Sequence, residues 1–231
     1  MKNSKRNFSV DLILQLAVVV DDAQGFIRSG GGYYDHSTET VISDNKNTIM
    51  SYVMNLDDMP PISEQTVKRA EEIKQYFKET LIAKKFIGTI NDFERSVLTA
   101  ISSENLPSFA VSVIASLPNG YRVAKQREKM DEWFDERREI SDFIGKVGER
   151  IKIDLYIRDV KYIASMNLYL VTAEDKSQNI VKFFFNREPD IGGIIQHKTL
   201  QITGRIKSHT VSKFSDCKET VLNYVKIQNS V

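Results

Sequence analysis

The stretch over residues 199–227, TLQITGRIKSHTVSKFSDCKETVLNYVKI, constrains the fold more than any other. Leu200, Ile202 and Ile206 alternate with Gln201, Thr203, Arg205 and Lys207, the period of a strand with one buried and one wet face. Gly204 interrupts the buried row, as a glycine does at a bulge, a sharp bend or a barrel corner. From Thr220 the chain returns through Val221, Leu222, Tyr224, Val225 and Ile227, again β-branched and aromatic. Between the two strands lie His209, Lys213, Phe214 and Lys218, opposed by Asp216 and Glu219.

Three further segments precede this pair. Residues 151–160 alternate Ile151, Ile153, Leu155 and Ile157 with Lys152, Asp154, Tyr156 and Arg158. Residues 161–165 turn the chain, 167–172 return, 174–178 form a polar hairpin loop, and 180–185 make a third strand. A connection through Pro189, Gly192 and Gly193 then leads to the final hairpin, leaving room for a short helix at most over 188–196. Three strands as a meander, a longer link and a hairpin within about ninety residues suit the five-stranded oligonucleotide/oligosaccharide-binding (OB) barrel.

Composition is that of an ordinary globular protein: 231 residues, 41% hydrophobic and 27% charged, with a net charge of +1. Splitting the chain is more informative. Residues 142–231 carry 14 Lys and Arg against 10 Asp and Glu, a net of +4, whereas residues 1–141 carry 18 against 21, a net of −3. The basic excess belongs to the β-rich part and gives weak support to anionic partners. One cysteine, Cys217, excludes an intramolecular disulfide and fits a reducing cytoplasm. With three scattered histidines no zinc pattern can be written, so no metal or cofactor is expected. The longest apolar run, 12–20, is too short to span a bilayer, and Asp21-Asp22 stand where a signal peptide would need small residues, so no membrane partner is expected.

Residues 9–20, SVDLILQLAVVV, fit either a buried strand or a short helix capped by Ser9, with the helix preferred. Residues 21–61 read as loop-rich, with Gly30-Gly31-Gly32 a flexible connector and Pro60-Pro61 a breaker. Ser63 then caps a helix with Val67, Ala70, Ile73, Phe77 and Leu81 as its stripe. Asn91 and Glu94 open a second, with Phe93, Val97, Leu98 and Ile101 buried. Pro107 opens a third, stopped by Pro118 and Gly120. Residues 121–139 form a charged helix with a thin seam of Val123, Arg127, Met130 and Phe134, to which Trp133 adds, read as a solvated connector. The expected fold class is α+β: an N-terminal segment over 1–62, a helical region with the charged connecting helix over 63–140, and an OB-like β-barrel over 141–231.

In an OB barrel, ligands lie across the second and third strands, gripped by the loops between strands one and two and strands four and five. That places Tyr169, Lys182 and Phe184 outward, Lys161 and Tyr162 in the first loop, and Lys207, His209, Lys213, Phe214 and Lys218 in the last, with Arg205 beside it. Lysines attract phosphate and exposed aromatics stack on unpaired bases. The competing interpretation is that Tyr169 and Phe184 pack under the helical region and the lysines merely solubilise a surface. Residues 192–199 have the length and Lys-Thr ending of a phosphate-binding loop, but His197 replaces the second glycine and a strand follows. No constellation supplies nucleophile, base and oxyanion donor together, so no catalytic residue is assigned.

Two motifs, Ser141-x-Phe143-Ile144-Gly145-x-Val147-Gly148-Glu149-Arg150 and Gly204-Arg205-Ile206-Lys207-Ser208-His209 followed by Glu219-Thr220-Val221-Leu222, resemble a group of mostly uncharacterised tailed-bacteriophage proteins. The stretches Asn91-Asp92-Phe93-Glu94 and Ile114-Ala115-Ser116-Leu117-Pro118 are similar more weakly. The resemblance implies an OB-like, nucleic-acid-binding domain with Lys207 and His209 bordering its binding loop. That group tends to carry a tryptophan in the third strand and an arginine near the end of the last, where this chain has Phe183-Phe184-Phe185 and Asn223-Tyr224. The expectation is non-catalytic binding of single-stranded nucleic acid, DNA before RNA, in phage replication, recombination or transcription. The alternative is an adaptor holding a polymerase, a helicase or another replication or transcription protein.

Overall fold

The computed structural model describes residues 7–189 and 193–228, which form two compact units, Met1–Gln126 and Arg127–Val231. The architecture is α+β, a helical N-terminal region and a closed five-stranded barrel.

In the first unit the apolar run is the helix α1 (Val10–Gln24), with Ile13, Leu14, Leu16, Ala17, Val18 and Val20 all buried. A helix apolar around most of its circumference has to be wrapped by others, and each fully buried Leu or Ile contributes about 1.5–3 kcal/mol. Just before it, β1 (Asn7–Ser9) pairs antiparallel with β4 (Asn105–Pro107). Ser9 precedes the helix without donating or accepting a side-chain cap bond.

Residues 21–61 hold more structure than their composition announces. β2 (Tyr33–Asp35) and β3 (Thr40–Ile42) form a hairpin, and α2 (Asn45–Met54) follows. Asp44 caps α2 by accepting from Asn47 N at 2.9 Å, and its other carboxylate oxygen accepts from Gly30 N at 2.9 Å. The triple glycine is thus a tight turn and not a flexible connector. A side chain at Gly32 would stand 2.9 Å from the Ile42 carbonyl oxygen. Only Ile49 anchors α2 deep in the core, too little periodicity for a sequence pattern to register.

α3 (Glu64–Phe86) starts at Ser63, whose hydroxyl accepts from Thr66 N, and buries Ala70, Ile73 and Leu81, while Val67 stays exposed. α4 (Asp92–Ile101) opens with the expected capping box, Asn91 and Glu94 each accepting from the other's backbone N–H. Val97, Ala100 and Ile101 are its buried face, whereas Phe93, in the first turn, points to solvent. α5 (Val111–Ala115) is followed at once by α6 (Leu117–Arg137). Pro118 and Gly120 therefore begin a helix and do not stop one. Proline suits a first turn, where its missing N–H has no partner to lose, and Gly120 lets the Phe77 ring approach to 3.3 Å of where a Cβ would be.

The second unit is built on β5 (Arg150–Ile163), β6 (Leu168–Glu174), β7 (Ile180–Phe185), β8 (Thr199–Val211) and β9 (Lys218–Ile227). They close in the order β5-β6-β7-β9-β8, antiparallel except for the parallel pair β7 and β9. This is an OB-like barrel. Leu155, Ile157, Val171, Ala173, Val181, Phe183, Ile202, Ile206 and Leu222 fill it, and Ile194 from the long connection joins them. The middle of that connection, including Gly192, lies outside the described residues. Closure needs local extra residues, which bend and twist a strand. At Gly204 the pairing steps from Thr203↔Lys226 to Arg205↔Asn223, so β9 carries one residue more, with Tyr224 at φ 52°. A side chain on Gly204 would crowd Leu222 and Val225 at 3.3–3.4 Å.

Residues 141–149 clasp this closure. Ser141 Oγ accepts from Ile180 N at 2.9 Å and donates to the Lys218 carbonyl at 2.7 Å, pinning the start of the parallel pair. Ile144 N donates to Thr220 Oγ1, Gly148 N to the Ile206 carbonyl, and Ile206 N to the Glu149 carbonyl. The two motifs, residues 141–150 and residues 204–209 with 219–222, meet here and form the closure. Among the described residues, no helix is long and apolar enough to cross a membrane.

Gly145 sits at φ +58°, and a Cβ there would lie 2.7 Å from Glu149 Oε2 and 2.8 Å from Ile206 Cδ1. Gly145→Ala is expected to cost about 1–3 kcal/mol, read by urea unfolding through the fluorescence of the single tryptophan, Trp133, which belongs to the barrel unit.

Candidate nucleic-acid interface

Side chains on a strand alternate between the barrel interior and its outer surface. Thr172, Glu174, Ile180 and Lys182 therefore face outward on β6 and β7, across the middle of the surface where OB ligands lie. In this chain that area is occupied by the last turns of α6. Trp133, Ile180 and Cys217 make a small buried cluster with Met130 and Phe134 against it. Glu174 is the polar centre of the contact. Its Oε2 accepts from Trp133 Nε1 at 3.2 Å and from Arg137 Nε at 3.0 Å, and its Oε1 accepts from Arg158 Nε at 2.8 Å and also from Arg158 Nη2. Arg158 is the extra residue of a β-bulge, between the pairs Ile157↔Ala173 and Asp159↔Thr172, and so is aimed at the same carboxylate.

This corrects two expectations. Lys182 points outward but is not free, because its Nζ lies 2.6 Å from Glu219 Oε1 and 5.2 Å from the centre of the Phe134 ring. The charged helix is no solvated connector at its end, where Trp133 and Arg137 are 7% and 8% exposed, although Val123 of its supposed seam is exposed. The signal was present: the chain's single tryptophan follows Met130 by three residues and precedes Arg137 by four, one face of a helix otherwise made of charge. Arg137, Arg158 and Glu174 are the residues that pattern reading did not single out.

Beyond the end of α6 the surface is open. The cross-strand pairs Lys161↔Leu170 and Leu170↔Phe184 make one outward row, with Lys161 exposed and Phe184 43% exposed. β5 runs on to Ile163, so Lys161 and Tyr162 belong to a strand and not to the loop. Tyr169 shares the side of its strand that carries Val171 and Ala173, since it lies at alternate positions with them, and it is half-buried at the barrel mouth. It pairs with Tyr162, ring centroids 5.1 Å apart, and the Tyr162 hydroxyl donates to Asn167 Oδ1 at 2.8 Å.

The other group lies at the opposite end of β6 and β7. Only Lys213 and Phe214 are in the loop, residues 212–217, and Phe214 is completely exposed. Lys207 and His209 are in β8, and Lys218 opens β9. His209 stacks on Phe143 at 4.7 Å with 9° between the planes, and its Nε2 is 3.0 Å from the Ile144 carbonyl oxygen. Lys218 lies 3.0 Å from Asp142 and 5.7 Å from the Phe143 ring centre. Arg205 is spent on the clasp, donating from Nε to the Gly148 carbonyl, while Lys207 is exposed. The candidates thus form two separate groups, Lys161, Tyr162, Tyr169 and Phe184 in one, and His209, Lys213, Phe214 and Lys218 in the other. Lys182 lies between them under α6.

Among the described residues no three His, Cys, Asp or Glu side chains are placed to hold a metal ion. In comparisons with known proteins, no family model, no curated protein and no solved structure matches the chain.

Glu174→Ala is expected to leave Arg137 and Arg158 without their carboxylate and to lower stability by about 3 kcal/mol, measured by the same urea unfolding. The Asp142 carboxyl is held below the usual carboxylate range by the Phe143 N–H and then by Lys218. A lowered value means that its contribution is present at neutral pH and lost as pH falls through that lowered midpoint. An NMR titration is expected to find the Asp142 midpoint low in the native chain and moved upward in Lys218→Ala.

Proposed function

We propose that the protein is a non-catalytic binder of single-stranded nucleic acid, and that the strand meets the barrel at the open end of its outer surface. The observation that carries this reading is the outward row Lys161, Leu170 and Phe184, a cation and an exposed aromatic ring on strands of one sheet. An exposed ring accepts any base by stacking at about 1–3 kcal/mol, and a lysine supplies phosphate attraction with counterion release. The excess of cations over carboxylates in residues 142–231 works in the same direction. Lys207, Lys213 and Phe214, exposed near the opposite loop, extend the path for a longer strand. DNA is the favoured strand, and phage replication, recombination or transcription is the setting that the resemblance implies.

An adaptor role is the second reading. Phe214, wholly exposed at a loop tip two residues from exposed Asp216, is the kind of single apolar anchor that a pocket on a protein partner takes up.

Fluorescence anisotropy of a labelled single strand at two salt concentrations, beside a duplex of equal length, tests the first reading. The expected outcome is salt-sensitive binding of the single strand, weaker on duplex, and reduced about tenfold or more in Lys161→Ala/Phe184→Ala. Absence of binding at low salt turns the reading over to the adaptor.

A further inference from the structure

The outer surface of β6 and β7 that a strand would cross is buried by the chain's own helix, and three features mark that contact as one built to release. First, it is small. From the helix it takes the buried side chains Trp133 and Arg137, helped by the half-buried Met130 and Phe134, while residues 131, 132, 135 and 136 are acidic and exposed. Second, it is imperfect. Arg137 is desolvated to reach Glu174, a pairing that burial makes expensive. The Ser215 hydroxyl, next to the carbonyl that accepts from Arg138 Nε, is buried with no partner. Third, it places acids over the path. Asp131, Glu132, Asp135 and Glu136 are all exposed on the helix that lies over the surface, three of them beside an arginine of the same stretch, Asp131 by Arg127, Asp135 by Arg138 and Glu136 by Arg137.

We infer that the last turns of α6 are a self-bound cover over the strand-binding surface, which single-stranded nucleic acid displaces to reach Lys182 and the sheet beneath Trp133. This rests on the reading of the protein as a strand binder. In the closed state the strand has access only to the open row at Lys161 and Phe184. When the cover lifts, Phe134 leaves Lys182, Trp133 leaves Ile180, and the acidic side of the helix moves away from the path. The turn at residues 138–140, whose Ile140 is exposed, joins the cover to the Ser141 clasp, which stays with the barrel. The apparent affinity for a strand is then the intrinsic affinity reduced by the fraction of molecules that are open.

Trp133 is the chain's only tryptophan, so its emission reports the cover directly. The experiment measures acrylamide quenching of the full native chain, free and saturated with an oligothymidylate, alongside anisotropy titrations of the native chain and of Phe134→Ala, which loosens the cover and keeps the reporter. The expected result is at least a twofold rise in quenching on saturation, with binding about tenfold tighter in Phe134→Ala. Binding with quenching unchanged or reduced overturns the cover and leaves the strand-binding reading intact. No binding by either protein removes the strand-binding reading and the cover with it. Binding by Phe134→Ala alone overturns the inference, because the strand then does not displace the cover of the native chain. The quenching measurement on the native chain stands on its own if the variant fails to fold.

Discussion

The barrel depends on one junction, the parallel pairing of β7 with β9. An antiparallel meander of β5, β6 and β7 leaves two unpaired edges, and exposed edges pair with other chains or must be covered. β8 and β9 remove both edges at once, β8 by pairing with β5 and β9 by pairing with β7. Ser141 fixes the register of that junction by bridging Ile180 and Lys218 through a single hydroxyl. The bulges at Arg158 and at Tyr224 then supply the curvature that closure needs, and Gly204 supplies the clearance.

Closure fills the inside of the barrel but leaves the outside of its sheet to be accounted for. Ile180 and Thr172 are apolar or weakly polar on that side, and Glu174 is a carboxylate that burial would penalise unless it is paired. Trp133 and Arg137 answer both demands, the ring lying against Ile180 and the guanidinium reaching Glu174. The same contact takes Lys182 out of the set of available cations, so the part of the sheet still open to a ligand is the end with Lys161 and Phe184. A surface that is both a docking place for a helix and the usual ligand face of its fold is a natural point of competition.

Pattern reading recovered what repeats along the chain. Alternation in residues 151–157 and 200–207 marked β5 and β8, and the apolar run at 10–20 gave the core helix. Asn91 with Glu94 gave a capping box that the structure contains. It lost what depends on one residue. α2 rests on Asp44 and Ile49, and the first turn of α6 contains a proline and a glycine that elsewhere end helices. In the candidate site, Phe184 was placed outward correctly, whereas Tyr169 was set on the wrong side because Leu168 and Leu170 imitate an inward row. In the structure Val171 and Ala173 define the interior, and Tyr169 follows their parity.

The sequence by itself determined that the second half is a five-stranded barrel, because side-chain alternation, turn spacing and the glycine at the corner are local properties of a strand. It also determined where the cations and aromatics stand along the chain. Only the tertiary structure decided which of them are free. Whether Lys182 faces solvent or Glu219, and whether the outside of β7 faces a ligand or Trp133, is settled by contacts between residues roughly forty positions apart. Burial and ion pairing are properties of neighbours in space, and no period along the chain records them.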